Sequence, residues 1–156
     1  MWPSPLPRAM EPLQRLTRRQ LDVLETVSRL PAGARGVALN ELARSLRLRS
    51  PSTLPHLRAL QSLDLVERTA GKTRITSAGE RCLDEYRRHH RVVERMFASL
   101  DLPLEDACRA AREIDLALSH RTVEKLCAAE GHPSRCPHGE PIPPCGGDGG
   151  AGGRPR

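Results

Sequence analysis

Between Leu13 and Leu30 the apolar residues Leu16, Val23, Leu24, Val27 and Leu30 return at three- and four-residue intervals among polar ones. That period predicts an amphipathic helix, which Pro31-Ala32-Gly33 ends. Leu39, Leu42 and Leu46 face inward on a short second helix after Val37. Past the break at Arg47-Leu48-Arg49-Ser50-Pro51, residues Leu54, Leu57, Leu60 and Leu63 give a third helix its buried stripe. Ser50 or Ser52 caps it, and Pro51 and Pro55 fall in its first turn, where a missing N–H costs little. The pattern then changes. Two short strands, 65–69 and 73–76, flank Ala70-Gly71-Lys72 and read as a β-hairpin. Ser77 caps a long helix from about 78 to 100, broken at Asp101-Leu102-Pro103. Two more helices follow at 103–117 and 119–129, the second capped by Ser119.

The expected fold is therefore mainly α: a winged helix-turn-helix at 13–76 followed by a helical domain at 77–143. Residues 1–12, with four prolines, read as a disordered arm, and 144–156 as a disordered Gly-rich tail. One Trp, one Tyr and one Phe leave the core to aliphatic residues, which favours helices. No apolar run approaches the roughly 18 residues needed to span a bilayer. Met1-Trp2-Pro3-Ser4-Pro5 does not read as a secretory signal. Five irregularly spaced cysteines, Cys82, Cys108, Cys127, Cys136 and Cys145, then point to free thiols in a reducing cytoplasm. A Gly-rich phosphate loop, a nucleophile elbow and paired catalytic acids are all missing from the pattern, so an enzyme is not expected.

Charge sharpens this picture. Of a net +6, residues 15–76 hold 12 Lys and Arg against 5 Asp and Glu, whereas 77–130 hold 9 against 11. A basic half joined to a mildly acidic one suits a polyanion-binding module attached to another function. In a winged helix the third helix enters the major groove and the hairpin reaches phosphates. Arg47, Arg49, His56, Arg58, Lys72 and Arg74 stand where phosphates would pass. Ser50, Ser52 and Thr53 stand at the N-terminus of the third helix, where hydroxyls and N–H groups meet backbone oxygens or base edges. The rival reading is a solvated basic face on a protein-interaction winged helix.

Longer motifs are more specific. Ile75-Thr76-Ser77-Ala78-Gly79-Glu80 leads to His89-His90-Arg91-Val92-Val93-Glu94-Arg95-Met96-Phe97. Leu118-Ser119-His120-Arg121-Thr122-Val123-Glu124 follows, and then His132-Pro133-Ser134-Arg135-Cys136-Pro137-His138-Gly139-Glu140-Pro141-Ile142-Pro143. From about Leu16 to Pro143 the chain resembles the DtxR-like family of iron- and manganese-dependent transcriptional repressors. That resemblance implies a dimer with an N-terminal winged helix and a helical metal-binding and dimerisation domain. It also implies ligands for Mn(II) or Fe(II): Asp22 and Glu25 on the first helix, His90 and Glu94 on the long helix, and Asp115 with Cys108 on the next. The family pattern breaks nearby, where Arg112 and Leu116 replace two ligands. A remodelled site, a weak site and no site all stay open.

The implied function is a metal-responsive repressor of metal-homeostasis genes, a homodimer on a pseudo-palindromic operator in duplex DNA, with no membrane and no small organic substrate. One alternative is a metal-independent winged-helix factor with a degenerate site. Another is a cysteine/histidine metal-trafficking or redox protein that does not bind DNA. Cys136-x-His138, with His132, Cys127 and Cys145 nearby, superficially resembles a zinc knuckle but lacks the paired C-x₂-C of structural zinc.

Overall fold

The computed structural model describes residues 11–31 and 36–144. The arm at 1–10, the tail from 145 and Cys145 lie outside them. Glu11 and Pro12 do not belong to an arm: Pro12–Arg15 form a 3-10 turn whose Leu13 is fully buried. The first helix, α1 (Arg18–Arg29), consequently starts later than its apolar period suggests. A capping box fixes that start. Thr17 Oγ1 accepts from Gln20 N–H at 3.2 Å, while Gln20 Oε1 accepts from Thr17 N–H at 2.8 Å.

Two helices follow, α2 (Leu39–Ser45) and α3 (Ser50–Ser62). The turn between them is closed by Arg47, which takes a left-handed conformation (φ 55°). Arg47 N–H reaches Arg44 O at 3.1 Å and Leu48 N–H reaches Ala43 O at 2.8 Å. Those two bonds make a Schellman closure. Because α3 begins at Ser50, Pro55 falls in its second turn and not its first, so the helix forgoes one backbone hydrogen bond there.

The hairpin is β2 (Val66–Thr69) and β3 (Lys72–Ile75), paired antiparallel with Val66 opposite Ile75. A two-residue strand with no counterpart in the sequence pattern, β1 (Val37–Ala38), adds to the other edge of β3, giving the order β1-β3-β2. The long helix α4 (Ser77–Ser99) is capped by Thr76, one residue before the expected Ser77. Thr76 Oγ1 accepts from Gly79 N–H at 3.0 Å and donates to Asp64 O at 2.6 Å. α5 (Leu104–Ile114) and α6 (His120–Ala129) complete the fold, the latter capped by Ser119 as expected.

One apolar cluster joins Leu13, Leu16 and the inner faces of α1 to α3 with Leu65, Val66 and, from α4, Cys82, Leu83 and Tyr86. A smaller one joins Val92 of α4 to Val123 and Cys127 of α6. Helix α4 is thus shared by both halves of the molecule. Between Tyr86 and Val92 it carries the buried polar residues Arg88 and His89, and Glu94 follows one turn on. That polar belt is where the chemistry lies.

The first turn of α4 rests directly on the backbone after α3. A Cβ built on Gly79 would come within 2.2 Å of Leu65 O and 2.6 Å of Ile75 Cγ1. Leu65 O is backbone and already accepts from Thr76 N–H at 3.1 Å, so it has little room to withdraw. Gly79→Ala is therefore expected to cost at least about 1–3 kcal/mol, read as a lower urea midpoint, although alanine is ordinarily the better helix former.

Candidate metal centre

The central residue is Asp115, the C-cap of α5, which is fully buried. One carboxylate oxygen accepts from the Arg18 guanidinium at the start of α1. The other lies 3.0 Å from His90 Nδ1. Arg18 also donates to Arg112 O at 2.6 Å and to Tyr86 Oη at 3.1 Å. Desolvation alone would raise the Asp115 pKa, but the bonds from His90 and Arg18 outweigh it and hold the carboxyl below its ordinary value. Asp115 stays a carboxylate, so the proton it meets on His90 is on Nδ1. The His90 Nε2 lone pair is then free to face outward, the usual means of orienting a metal-binding imidazole.

What Nε2 faces is a set of donors. Cys108 Sγ on α5 lies 3.6 Å from it. Glu94, one turn along α4 and 1% exposed, belongs to the same group, whose ligand atoms all fall within 4.8 Å. Glu94 is also the centre of a second group with Cys136 and His138. His138 Nδ1 is 2.5 Å from Glu94 Oε1, yet the pair lacks hydrogen-bond geometry, and that buried oxygen has no hydrogen-bond partner. Burial and then the Glu94 carboxylate push the Cys108 thiol up. A divalent cation would reverse both influences by stabilising the thiolate.

A tight turn brings Cys136 and His138 to α4. Gly139 N–H reaches Cys136 O at 2.9 Å, with Gly139 at φ 83°, and Cys136 N–H reaches Glu140 O at 2.9 Å. Arg91 of α4 grips this turn, donating to Pro141 O and lying 3.7 Å from Glu140 Oε2. Spacing alone argued against metal at Cys136-x-His138. Its missing partner is Glu94, forty-odd residues upstream, which sequence spacing does not reveal.

The remaining expected ligands are arranged differently. Asp22 and Glu25 share one face of α1 as their spacing requires, but they open onto a cleft with Arg29 and Arg87. Asp22 lies 3.9 Å from both Arg19 and Arg112. Glu25 is half-buried and its pKa is raised, first by desolvation, although Arg87 opposes it. Neither residue joins a metal-competent group among the described residues, and neither does Asp115. The reason is electrostatic. Guanidinium groups of Arg18 and Arg112 sit on the carboxylates that an ion would need. In this arrangement Asp115 orients His90, Asp22 lies beside two guanidinium groups and Glu25 lines the cleft, so these three expected ligands are not gathered around one point.

Of the expected DNA contacts, Arg47, Arg49, Ser52, Arg58 and Arg74 are exposed, while Ser50, His56 and Lys72 are half-buried. Arg74 lies 3.9 Å from Glu67 across the hairpin. Thr53 is a correction: it is fully buried, and its hydroxyl donates to Arg49 O at 3.1 Å. It lies one turn before Leu57 on the core face of α3. The described cysteines Cys82, Cys108, Cys127 and Cys136 are free thiols. Among the described residues no helix is long and apolar enough to cross a membrane.

Residues 76–144 match the family of the iron dependent repressor, metal binding and dimerisation domain. No curated protein sequence matches the chain. Among solved structures, a hypothetical protein from Sulfolobus solfataricus is 28% identical at a TM-score of 0.77, covering 82% of this chain and 99% of its own. IdeR of T. acidophilum is 27% identical, with a TM-score of 0.60 and coverage of 87% of this chain. A manganese-dependent transcriptional repressor in complex with manganese is 26% identical, with a TM-score of 0.64 and 81% coverage. The chain spans only 63% and 58% of those two repressors' lengths. That family consists of transcriptional regulators, not enzymes. Over residues 76–144 the chain is thus similar to the metal binding and dimerisation domain of the iron dependent repressors, and its fold is similar to that of IdeR and of a manganese-dependent transcriptional repressor.

Proposed function

We propose that the chain is a metal-responsive, DNA-binding transcriptional regulator that works as a homodimer in the cytoplasm. The observation that carries this reading is the donor set around Glu94. His90, Cys108, Cys136 and His138 surround a buried carboxylate whose own oxygen lacks a hydrogen-bond partner. Thiols and imidazoles mixed with one carboxylate are softer than the carboxylate-rich set expected from the family. They suit Fe(II), or Zn(II) in its place, better than Mn(II). Bound there, the ion would supply positive charge that deprotonates the thiols and ties α4, α5 and the 134–142 turn together.

Residue His90 couples that site to the basic half. Its Nε2 faces the donors and its Nδ1 holds Asp115, which in turn holds Arg18 of α1. The ion acts as an effector because it favours the His90 orientation in which this relay is intact. Helices α1 to α3 and the hairpin serve as a winged helix, with α3 as recognition helix. The N-terminus of α3 has no side-chain cap and carries Arg49, Ser50 and Ser52, which suits a phosphate. For pairing, the exposed Leu100 and Leu104 at the α4–α5 corner offer apolar surface.

Glu94→Gln keeps the shape of the side chain but removes its charge. It is expected to weaken binding of Fe(II) or Zn(II) by at least about 10–100-fold, and to reduce duplex binding in the presence of metal. Calorimetric titration of the metal into apo-protein, with and without duplex, measures both effects. If metal leaves duplex affinity unchanged in the unaltered protein, the switch is wrong. The Arg18–Asp115 pair favours one specific alternative in that case. A guanidinium already joins α1 to α5, so such a regulator would be competent to bind without an ion.

A further inference from the structure

On the other side of α4, a separate set of donors converges between α4, the start of α6 and the segment before α1. Glu85 and His89 are one turn apart on α4, and His120 opens α6. Their donor atoms all lie within 4.8 Å of one another. His89 is fully buried, and its Nδ1 lies 3.4 Å from the carbonyl oxygen of Asp115. A carbonyl can only accept, so the His89 proton is on Nδ1 and Nε2 presents a lone pair. That Nε2 has no hydrogen-bond partner, and Glu85 Oε1 lies 3.6 Å from it.

His120 repeats the arrangement with its ring nitrogens exchanged. Its Nε2 is 3.2 Å from Glu124 Oε1, the nearest acceptor for the ring proton. Its Nδ1 is buried without a hydrogen-bond partner, 3.8 Å from the same Glu85 oxygen. The two rings stack with centroids 5.9 Å apart. Two imidazole lone pairs and a carboxylate oxygen therefore face one point. A proton on Glu85 would satisfy only one nitrogen and leave the other bare. A cation satisfies all three.

The outer partners support the same conclusion. Metal-binding imidazoles characteristically turn their second ring nitrogen to a carbonyl or carboxylate; His89 Nδ1 lies 3.4 Å from the Asp115 carbonyl oxygen and His120 Nε2 lies 3.2 Å from a Glu124 oxygen. The separations of Glu85 Oε1 from His89 and His120, 3.6 and 3.8 Å, are close to the roughly 3.3 Å edge of a tetrahedron built on zinc–ligand bonds of about 2.0–2.1 Å. Room for a further ligand exists. A cavity of about 410 Å³ opens beside Glu85 and His120, bordered also by Glu11 and Arg88.

We infer that Glu85, His89 and His120 form a divalent transition-metal site of the Zn(II) type, distinct from the donors around Glu94. The fourth position is left to water or to Glu11, which already accepts from His120 N–H at 3.3 Å. An ion here would fasten the segment before α1 to α4 and α6.

The test uses the full chain and two probes, Zn(II) counted by native mass spectrometry and Co(II) followed by absorption. Glu85→Gln and His120→Ala are each expected to lose one Zn(II) per chain. They should keep the thiolate-to-cobalt absorption that Cys108 and Cys136 supply beside Glu94. Glu94→Gln should do the reverse, losing that absorption and keeping the second ion. Glu85→Gln retains the side-chain shape, so thermal unfolding gives a further reading. Zn(II) should raise the melting temperature of the Glu94→Gln protein but not of the Glu85→Gln/Glu94→Gln double variant. If Glu85→Gln and His120→Ala bind as much Zn(II) as the unaltered protein, with affinity within twofold, the site is refuted, whatever Glu94→Gln does.

Discussion

Asp115→Ala is expected to lower the stability of the folded chain by about 3–5 kcal/mol, the usual consequence of removing one partner from a buried ion pair. Asp115 is fully buried, and its two oxygens satisfy Arg18 on one side and His90 on the other. Truncation leaves a guanidinium held over Tyr86 and an imidazole without its orienting acceptor. Urea denaturation measures the loss, and a change under about 1 kcal/mol would contradict the arrangement. The sign of the pH dependence follows from the depressed pKa of Asp115. Its contribution is fully present above the unfolded carboxyl value of about 3.9. It is lost as the pH falls through the lower folded value, so the unaltered protein loses this increment only in strong acid. Asp115→Ala should show no such acid-dependent component. Asp115→Asn separates position from packing: it keeps the volume, should recover part of the stability, and should still bind metal at Glu94 more weakly because His90 loses its fixed tautomer.

Raising salt from roughly 50 to 200 mM is expected to weaken duplex binding by about 10³-fold or more, the behaviour of a protein that neutralises six or more phosphates. Arg47, Arg49, Arg58, Lys72 and Arg74 on each copy of a dimer supply that number with margin. Arg49→Ala and Arg58→Ala should each reduce the salt slope by about one per copy, nearly equally on any duplex sequence. Fluorescence anisotropy on a labelled duplex measures the slope. A flat response would mean that the basic half is a solvated face and not a DNA reader. Thr53→Ala should leave the slope alone, since its hydroxyl is spent inside α3.

The helices and the hairpin were legible because their signals are local. Apolar spacing marked α1 to α3, Asp101-Leu102-Pro103 divided α4 from α5, and Ser119 announced α6. Where local signals competed, the boundaries moved. Leu13 and Leu16 continue the period of α1, but the Thr17–Gln20 box overrides it. Strand β1 left no trace because two residues have no period, and their pairing partner Thr73 is far away in sequence. The metal residues divide in the same way. Asp22 with Glu25, and His90 with Glu94, are same-face pairs that spacing defines. Which pair meets further donors depends on contacts between distant segments. Cys136 and His138 reach Glu94 only because the 134–142 turn folds back on α4, gripped by Arg91. Glu85 and His89 carried the same one-turn spacing as His90 and Glu94, and only the arrival of His120 distinguishes them from a solvated pair.

The clasp of Arg18 on Asp115 has a consequence for how such a protein would live through famine and plenty of metal. A guanidinium cannot be chelated, oxidised or titrated away at any pH a cell survives. The bridge between the two halves is therefore written into the polypeptide and is present from the moment of folding. Loss of a bound ion would loosen what surrounds His90 and leave the Arg18–Asp115 bridge from α1 to α5 in place, so the parts would adjust by degrees and not come apart.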